Sequence, residues 1–227
     1  MGSSPGRSAV TQISVPLLLF ILASSGCSHM MEGAREHSSP FSEIPIPCRF
    51  ECPVSPYAGP APAEIRLDTL DVENLLEGQG IGSMYSANGS LTLICMDGTE
   101  LAWGLEEDLA NLLDRHSIVV GGDPAGLPPA GISLHVEIFE AWVESETTGT
   151  SGIKIPIEAS VAFRATVEDE TKWVTLWHEE FRGKDKRAIW YSLSQHHAES
   201  LQRAYCEAIR SFDAAIGSAK FQKAIRR

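Results

Sequence analysis

The densest groupings of side chains able to do chemistry are His178-Glu179-Glu180 and His196-His197. Imidazole and carboxylate together suit a transition metal, but a zinc site needs three or four such groups converging on one point. Neighbouring side chains on a helix point about 100° apart, so His196 and His197 cannot easily share an ion. The chain also lacks a His-Glu-x-x-His pattern. These histidines read as surface and cap positions. Beyond the N-terminal residues 1–26 the chain holds no Gly-x-Ser-x-Gly, so a serine hydrolase of that type is not expected. Cys206 falls in the middle of an amphipathic segment and reads as a structural thiol, not as a nucleophile. Glu77-Gly78-Gln79-Gly80-Ile81-Gly82 could be imagined cradling a phosphate, yet no Lys or Thr follows at P-loop spacing, so it reads as a flexible loop. The tryptophans Trp103, Trp142, Trp173, Trp177 and Trp190 fit either a partner groove or ordinary sheet and helix packing. No catalytic residue, metal ligand or cofactor is expected.

The N-terminus carries a different chemistry. Arg7 is the only charged residue before Cys27, and residues 13–23 (ISVPLLLFILA) are apolar apart from Ser14 and Pro16. Eleven helical residues rise about 16 Å, roughly half the hydrocarbon thickness of a bilayer, too little for a span. A basic start, a short apolar run and then small residues form an export signal. The small residues Ala23-Ser24-Ser25-Gly26 lead straight into Cys27, which resembles the lipobox of bacterial lipoproteins, with Ser24 where Leu is usual. That resemblance implies removal of residues 1–26 and diacylation of Cys27. Ordinary cleavage after Ser25, leaving an unanchored exported protein, stays open.

Acylation of Cys27 also leaves an even set of cysteines, Cys48, Cys52, Cys95 and Cys206, in an oxidising compartment. Cys48 and Cys52 lie four apart among prolines and are expected to close a small local loop. A second pair between Cys95 and Cys206 is allowed by the pattern without being required. Residues 28–62 hold seven of the thirteen prolines and show no periodicity, so residues 27–62 are expected to be an anchor cysteine on a semi-rigid tether.

From Ala63 the periodicity becomes regular. Ile65 and Leu67 alternate with charged residues in a first strand reaching about Val72. Asn88-Gly89 signals a hairpin turn before the strand of Leu91, Leu93 and Cys95. Asp97 with Glu100 opens a helix whose stripe is Leu101, Leu105, Leu109, Leu112 and Leu113. A short strand, Ile118-Val119-Val120, follows. Ile132, Leu134, Val136 and Ile138 share one parity and Phe139, Ala141 and Val143 the other, which a bulge near Ile138 would reconcile. Residues 153–168 alternate so regularly that one face must be buried and the other wet. A third strand spans 173–182. Ser192 opens a last helix with Ala198, Leu201, Tyr205, Ala208, Ile209, Phe212 and Ile216 on its stripe, and Gly217 stops it.

This order predicts an α+β fold, a mainly antiparallel sheet with two amphipathic helices packed on one face, as a single domain over 63–227. A first strand, a Gly-rich loop running into Tyr85-Ser86-Ala87-Asn88-Gly89-Ser90-Leu91-Thr92-Leu93, a helix, a meander and a final helix resembles YajG-type envelope lipoproteins. The order is also similar to LptE-like and ABC-transport auxiliary lipoproteins. The resemblance implies a non-enzymatic accessory or binding module, or an accessory of lipid or lipopolysaccharide transport, at the periplasmic face of the outer membrane. The expected partners are membrane lipid through the anchor and an envelope protein or lipid ligand. Thirty acidic against eighteen basic residues, a net charge of −12, argue against nucleic acid.

Overall fold

The computed structural model describes residues 42–45, 50, 52, 65–76, 80–85, 91–95, 98–121, 130–146, 154–190 and 194–226. Among these residues, nine strands and three helices follow in order: β1 (Ser42–Pro45), β2 (Ile65–Leu67), β3 (Thr69–Asn74), β4 (Gly80–Tyr85), β5 (Leu91–Cys95), α1 (Gly98–Arg115), β6 (Ile118–Val120), β7 (Ile132–Glu146), β8 (Ile155–Asp169), β9 (Val174–Ile189), α2 (Ser194–Ile216) and α3 (Ala219–Ile225).

The long meander β7–β8–β9 is the frame, antiparallel throughout. The expected bulge is present: the register shifts between Ile138 and Glu140, so Ile132 to Ile138 and then Ala141 and Val143 stay on the buried side. Phe139 is the inserted residue and faces the opposite side, where Arg164 and Arg182 lie 5.4 and 6.0 Å from its ring centre. The expectation that Phe139 joins the core is therefore corrected. β9 continues past Arg182 to Ile189 because the first half of β8 remains available to pair with it.

The sheet is mixed. β3 and β4 both run parallel to β7, β1 runs parallel to β5, and β2 and β6 form a separate parallel pair. The expected first strand is broken at Asp68. Its carboxylate accepts the Ala130 and Gly131 amides at 2.8 and 2.6 Å, and its own amide donates to Ile132. The chain thus serves one sheet before the kink and another after it. The Gly-rich segment also departs from a loop: residues 80–85 are β4, and a Cβ on Gly82 would lie 1.7 Å from the Val143 carbonyl oxygen. Glycine is needed there for close strand approach.

One continuous core joins the inner sheet face to both long helices. α1 offers Leu101, Leu105, Leu109, Leu112 and Leu113, all essentially inaccessible. α2 offers Leu201, Tyr205, Ile209, Phe212 and Ile216, and Phe163, Phe181 and Phe212 interlock at 5.1–5.9 Å between ring centres. Gly183 lets α2 sit directly on β9, since a Cβ there would meet the Ala204 carbonyl at 1.8 Å. After Gly217 the chain turns into α3, which the sequence reading did not anticipate. Ser218 caps it by accepting the Phe221 amide at 3.2 Å, and Phe221 packs edge-on against Trp177 at 4.8 Å. The opposite sheet face is polar, with Arg164 bridging Glu137 and Glu180 at 3.2 and 2.8 Å and Arg182 paired with Glu140.

The tether boundary changes as well. β1, Phe50 and Cys52 all lie within residues 27–62, yet β1 extends the sheet and Phe50 is buried. An edge strand tolerates proline, here Pro45 at its last position. The folded unit therefore starts before Ala63.

Candidate functional site

Of the expected site residues, Cys27 and Cys48 lie outside the described residues. Cys52 is bonded to Cys206, with Cα atoms 5.3 Å apart, inside the range a disulfide demands. This corrects the expected pairing of Cys48 with Cys52, and it leaves no Cys206 for the pair with Cys95 that the pattern allowed. The cause is aromatic packing, which sequence spacing cannot reveal. Phe50, two residues before Cys52, packs against Tyr205 with ring centres 5.2 Å apart and planes tilted by 46°, and Tyr205 neighbours Cys206 on α2. Cys95 sits in β5, opposite Pro45 on one side and Gly80 on the other.

Tyr205 also ties the two long helices together. Its hydroxyl donates to Asp108 of α1 at 2.7 Å, and burial, followed by the Asp108 charge, pushes the phenol well above its ordinary range. Beside it, Cys52, Asp108, Asn111, Arg115 and Ile209 border a cavity of about 220 Å³. That is smaller than the roughly 300–1,000 Å³ of ordinary small-molecule sites. Its walls are largely polar, which does not suit an acyl chain.

The histidines separate in space. His178 is exposed on β9, 3.2 Å from the Thr166 hydroxyl, while His196 lies 3.8 Å from Glu199. His197 is wholly buried, its Nε2 2.8 Å from the Ser145 Oγ of β7. The sequence reading missed this Ser–His contact, because 52 residues separate the two and no motif links them. Its distance suits a nucleophile and base, but both groups are buried, His197 completely and Ser145 with 5% exposed. The pair anchors the start of α2 to the sheet. Arg187 does the same from β9, reaching Ser200 at 2.8 Å, Glu199 at 3.0 Å and the His196 carbonyl. It holds the Glu199 carboxyl below its usual range. At the other end, His116 and Asp213 join at 2.7 Å, linking the end of α1 to α2. Among the described residues, no three His, Cys, Asp or Glu side chains converge as a metal set.

The tryptophans divide between both sequence readings. Trp177 is core, whereas Trp103, Trp173 and Trp190 are 67%, 90% and 65% exposed. Trp173 occupies the β8–β9 turn at φ 56°, a conformation that costs a bulky residue energy. Asp169 fastens that turn. Its hydrogen bond from Thr171, then that from Lys172, holds its carboxyl well below the usual range.

No protein-family model matches the chain, and neither does any curated protein. Among solved structures, it is similar to a Xanthomonas campestris protein described with the family model DUF330, at a TM-score of 0.52 and 11% identity, covering 79% of this chain and 97% of that one. A Helicobacter pylori protein described as a homolog of a neuraminyllactose-binding hemagglutinin gives 0.41 at 9% identity, covering 73% and 96%. The Neisseria meningitidis lipoprotein GNA1162 gives 0.32 at 14% identity, covering 68% and 99%. The first of these shows a shared fold. No helix among the described residues is long and apolar enough to cross a membrane.

Proposed function

We infer that this chain is an exported, lipid-anchored, non-enzymatic module of the cell envelope, held at the periplasmic face of the outer membrane by acylated Cys27. The observation that carries the reading is the short apolar run ending in Ala23-Ser24-Ser25-Gly26 immediately before Cys27. Three tryptophans exposed at 65% or more support a binding or accessory role, since indoles are favoured at interfaces. An accessory of lipid or lipopolysaccharide transport is the second reading, and it rests on the likeness in element order. The polar pairs described above, Ser145 with His197 and His116 with Asp213, serve to dock helices, which supports a role without catalysis.

The test is mass spectrometry of the N-terminal peptide from the native envelope. Expected is a peptide that begins at Cys27 and carries two or three acyl chains; Cys27→Ser should lose both the acylation and the lipoprotein-type cleavage. Two or more chains are what would retain an acidic domain, because one alone gives marginal residence. A free, unmodified Cys27 in a protein found in the soluble periplasm would refute the anchor. Turnover of ester, phosphate or peptide substrates that is abolished by His197→Ala, with the fold intact, would refute the non-enzymatic reading.

A further inference from the structure

The registers fix which end of the sheet receives the chain from Cys27. Ser42 pairs with Thr92, Thr92 with Met84, Met84 with Ser145, Ser145 with Ile157 and Ile157 with Arg187. One row thus passes through six strands, from the first residue of β1 to Arg187 near the end of β9. Three residues beyond Arg187 stands Trp190, 65% exposed, with the Lys154 ammonium 5.4 Å from its ring centre. Five strand spacings place Ser42 and Arg187 about 24 Å apart along this edge.

Residues 28–41 connect Cys27 to Ser42, and fully stretched they reach about 50 Å. The other end of β9, Val174 next to Trp173, is thirteen residues below the Ser42 row, or about 43 Å. Bringing that end to the bilayer would use nearly the whole reach of the connection. Bringing the Trp190 end there leaves it slack, with less loss of chain entropy and a higher effective concentration. An exposed indole with a lysine beside it is also the chemistry that settles at lipid headgroups, the ring at the interface and the ammonium toward phosphate.

On this basis, and resting on the lipoprotein reading, we propose that the Trp190–Lys154 end of the sheet is the membrane-facing end, and that Trp190 inserts into the phospholipid headgroup region as a second contact beside the acylated cysteine. The occupant of this surface is a phospholipid bilayer.

The experiment uses the mature full chain reconstituted into phosphatidylethanolamine–phosphatidylglycerol vesicles with and without brominated acyl chains. Brominated lipid should quench the tryptophan emission of the wild type. W190F should lose at least half of that quenching, whereas W173F should retain it, although Trp173 is the more exposed ring. W190Y, which keeps an aromatic ring without indole emission, repeats the measurement should W190F unfold. Flotation with acylated Cys27 but equal quenching in wild type and W190F would overturn the orientation alone, as would loss of quenching in W173F. Absence of the acyl mass on Cys27 would overturn the lipoprotein reading and the orientation together.

Discussion

The Cys52–Cys206 bridge closes a loop of 154 residues, and in the chain-entropy model such closure restrains the unfolded chain by about 5 kcal/mol. Cys206→Ser should therefore lower the unfolding free energy by a few kcal/mol, read as a reduced denaturant midpoint, and a reductant should lower wild type to the same level. An unchanged midpoint in both cases would mean that this bridge contributes nothing to the fold. Asp169 gives a pH-dependent case. Its carboxyl titrates lower when folded than when unfolded, because Thr171 and Lys172 stabilise the ionised form. Its contribution is then fully present above the unfolded value of about 3.9 and fades as pH falls through the folded one. Asp169→Asn should lower Tm at pH 7, with the difference from wild type shrinking below about pH 4. A difference that stays constant down to pH 2 would assign the effect to shape instead of charge.

At the scale of elements, the seam between α2 and β9 is set by how closely two backbones approach. Gly183 has no room for a side chain: an added Cβ would lie 1.8 Å from the Ala204 carbonyl oxygen and 2.6 Å from the Ala208 nitrogen. Both obstacles are backbone, so the whole helix has to lift, and with it Phe212 and the Arg187 contacts. Gly183→Ala should cost about 3 kcal/mol, the upper part of the range for overpacking, visible in chemical denaturation. A loss under about 0.5 kcal/mol would show that α2 slides freely on the sheet. Gly131, by contrast, sits at φ 70° with its amide held by Asp68, so glycine there answers a conformational demand as well as a steric one.

For the whole molecule, the folded unit reaches back to β1. A chain beginning at Ala63 would lack β1, Phe50 and Cys52, and so would lose an edge strand, the ring against Tyr205 and the long-range bridge together. It should unfold at a clearly lower denaturant concentration than a chain beginning at Cys27, and its amides in β5 should exchange faster. Equal midpoints would restore the tether boundary near residue 62. The polar sheet face and the buried one are otherwise well separated, so a loss at the N-terminal edge should leave the β7–β8–β9 meander paired.

What the residues determined by themselves was whatever depends on near neighbours. The alternation over 153–168 demanded a sheet wet on one side, the leucine stripes demanded two buried helix faces, and the parity change at Ile138 demanded a bulge. Each is a local periodicity reporting a single buried surface. The tertiary structure alone decided which distant groups meet. Parallel pairing of β1, β3 and β4, the break at Asp68 and the folding of Gly80 to Tyr85 into a strand depend on where β7 lies in space. The same holds for Cys52 with Cys206, Ser145 with His197 and His116 with Asp213. Pairings across 52 to 154 residues leave no periodic trace in the chain, because the free energy that selects them comes from packing formed after the local elements exist.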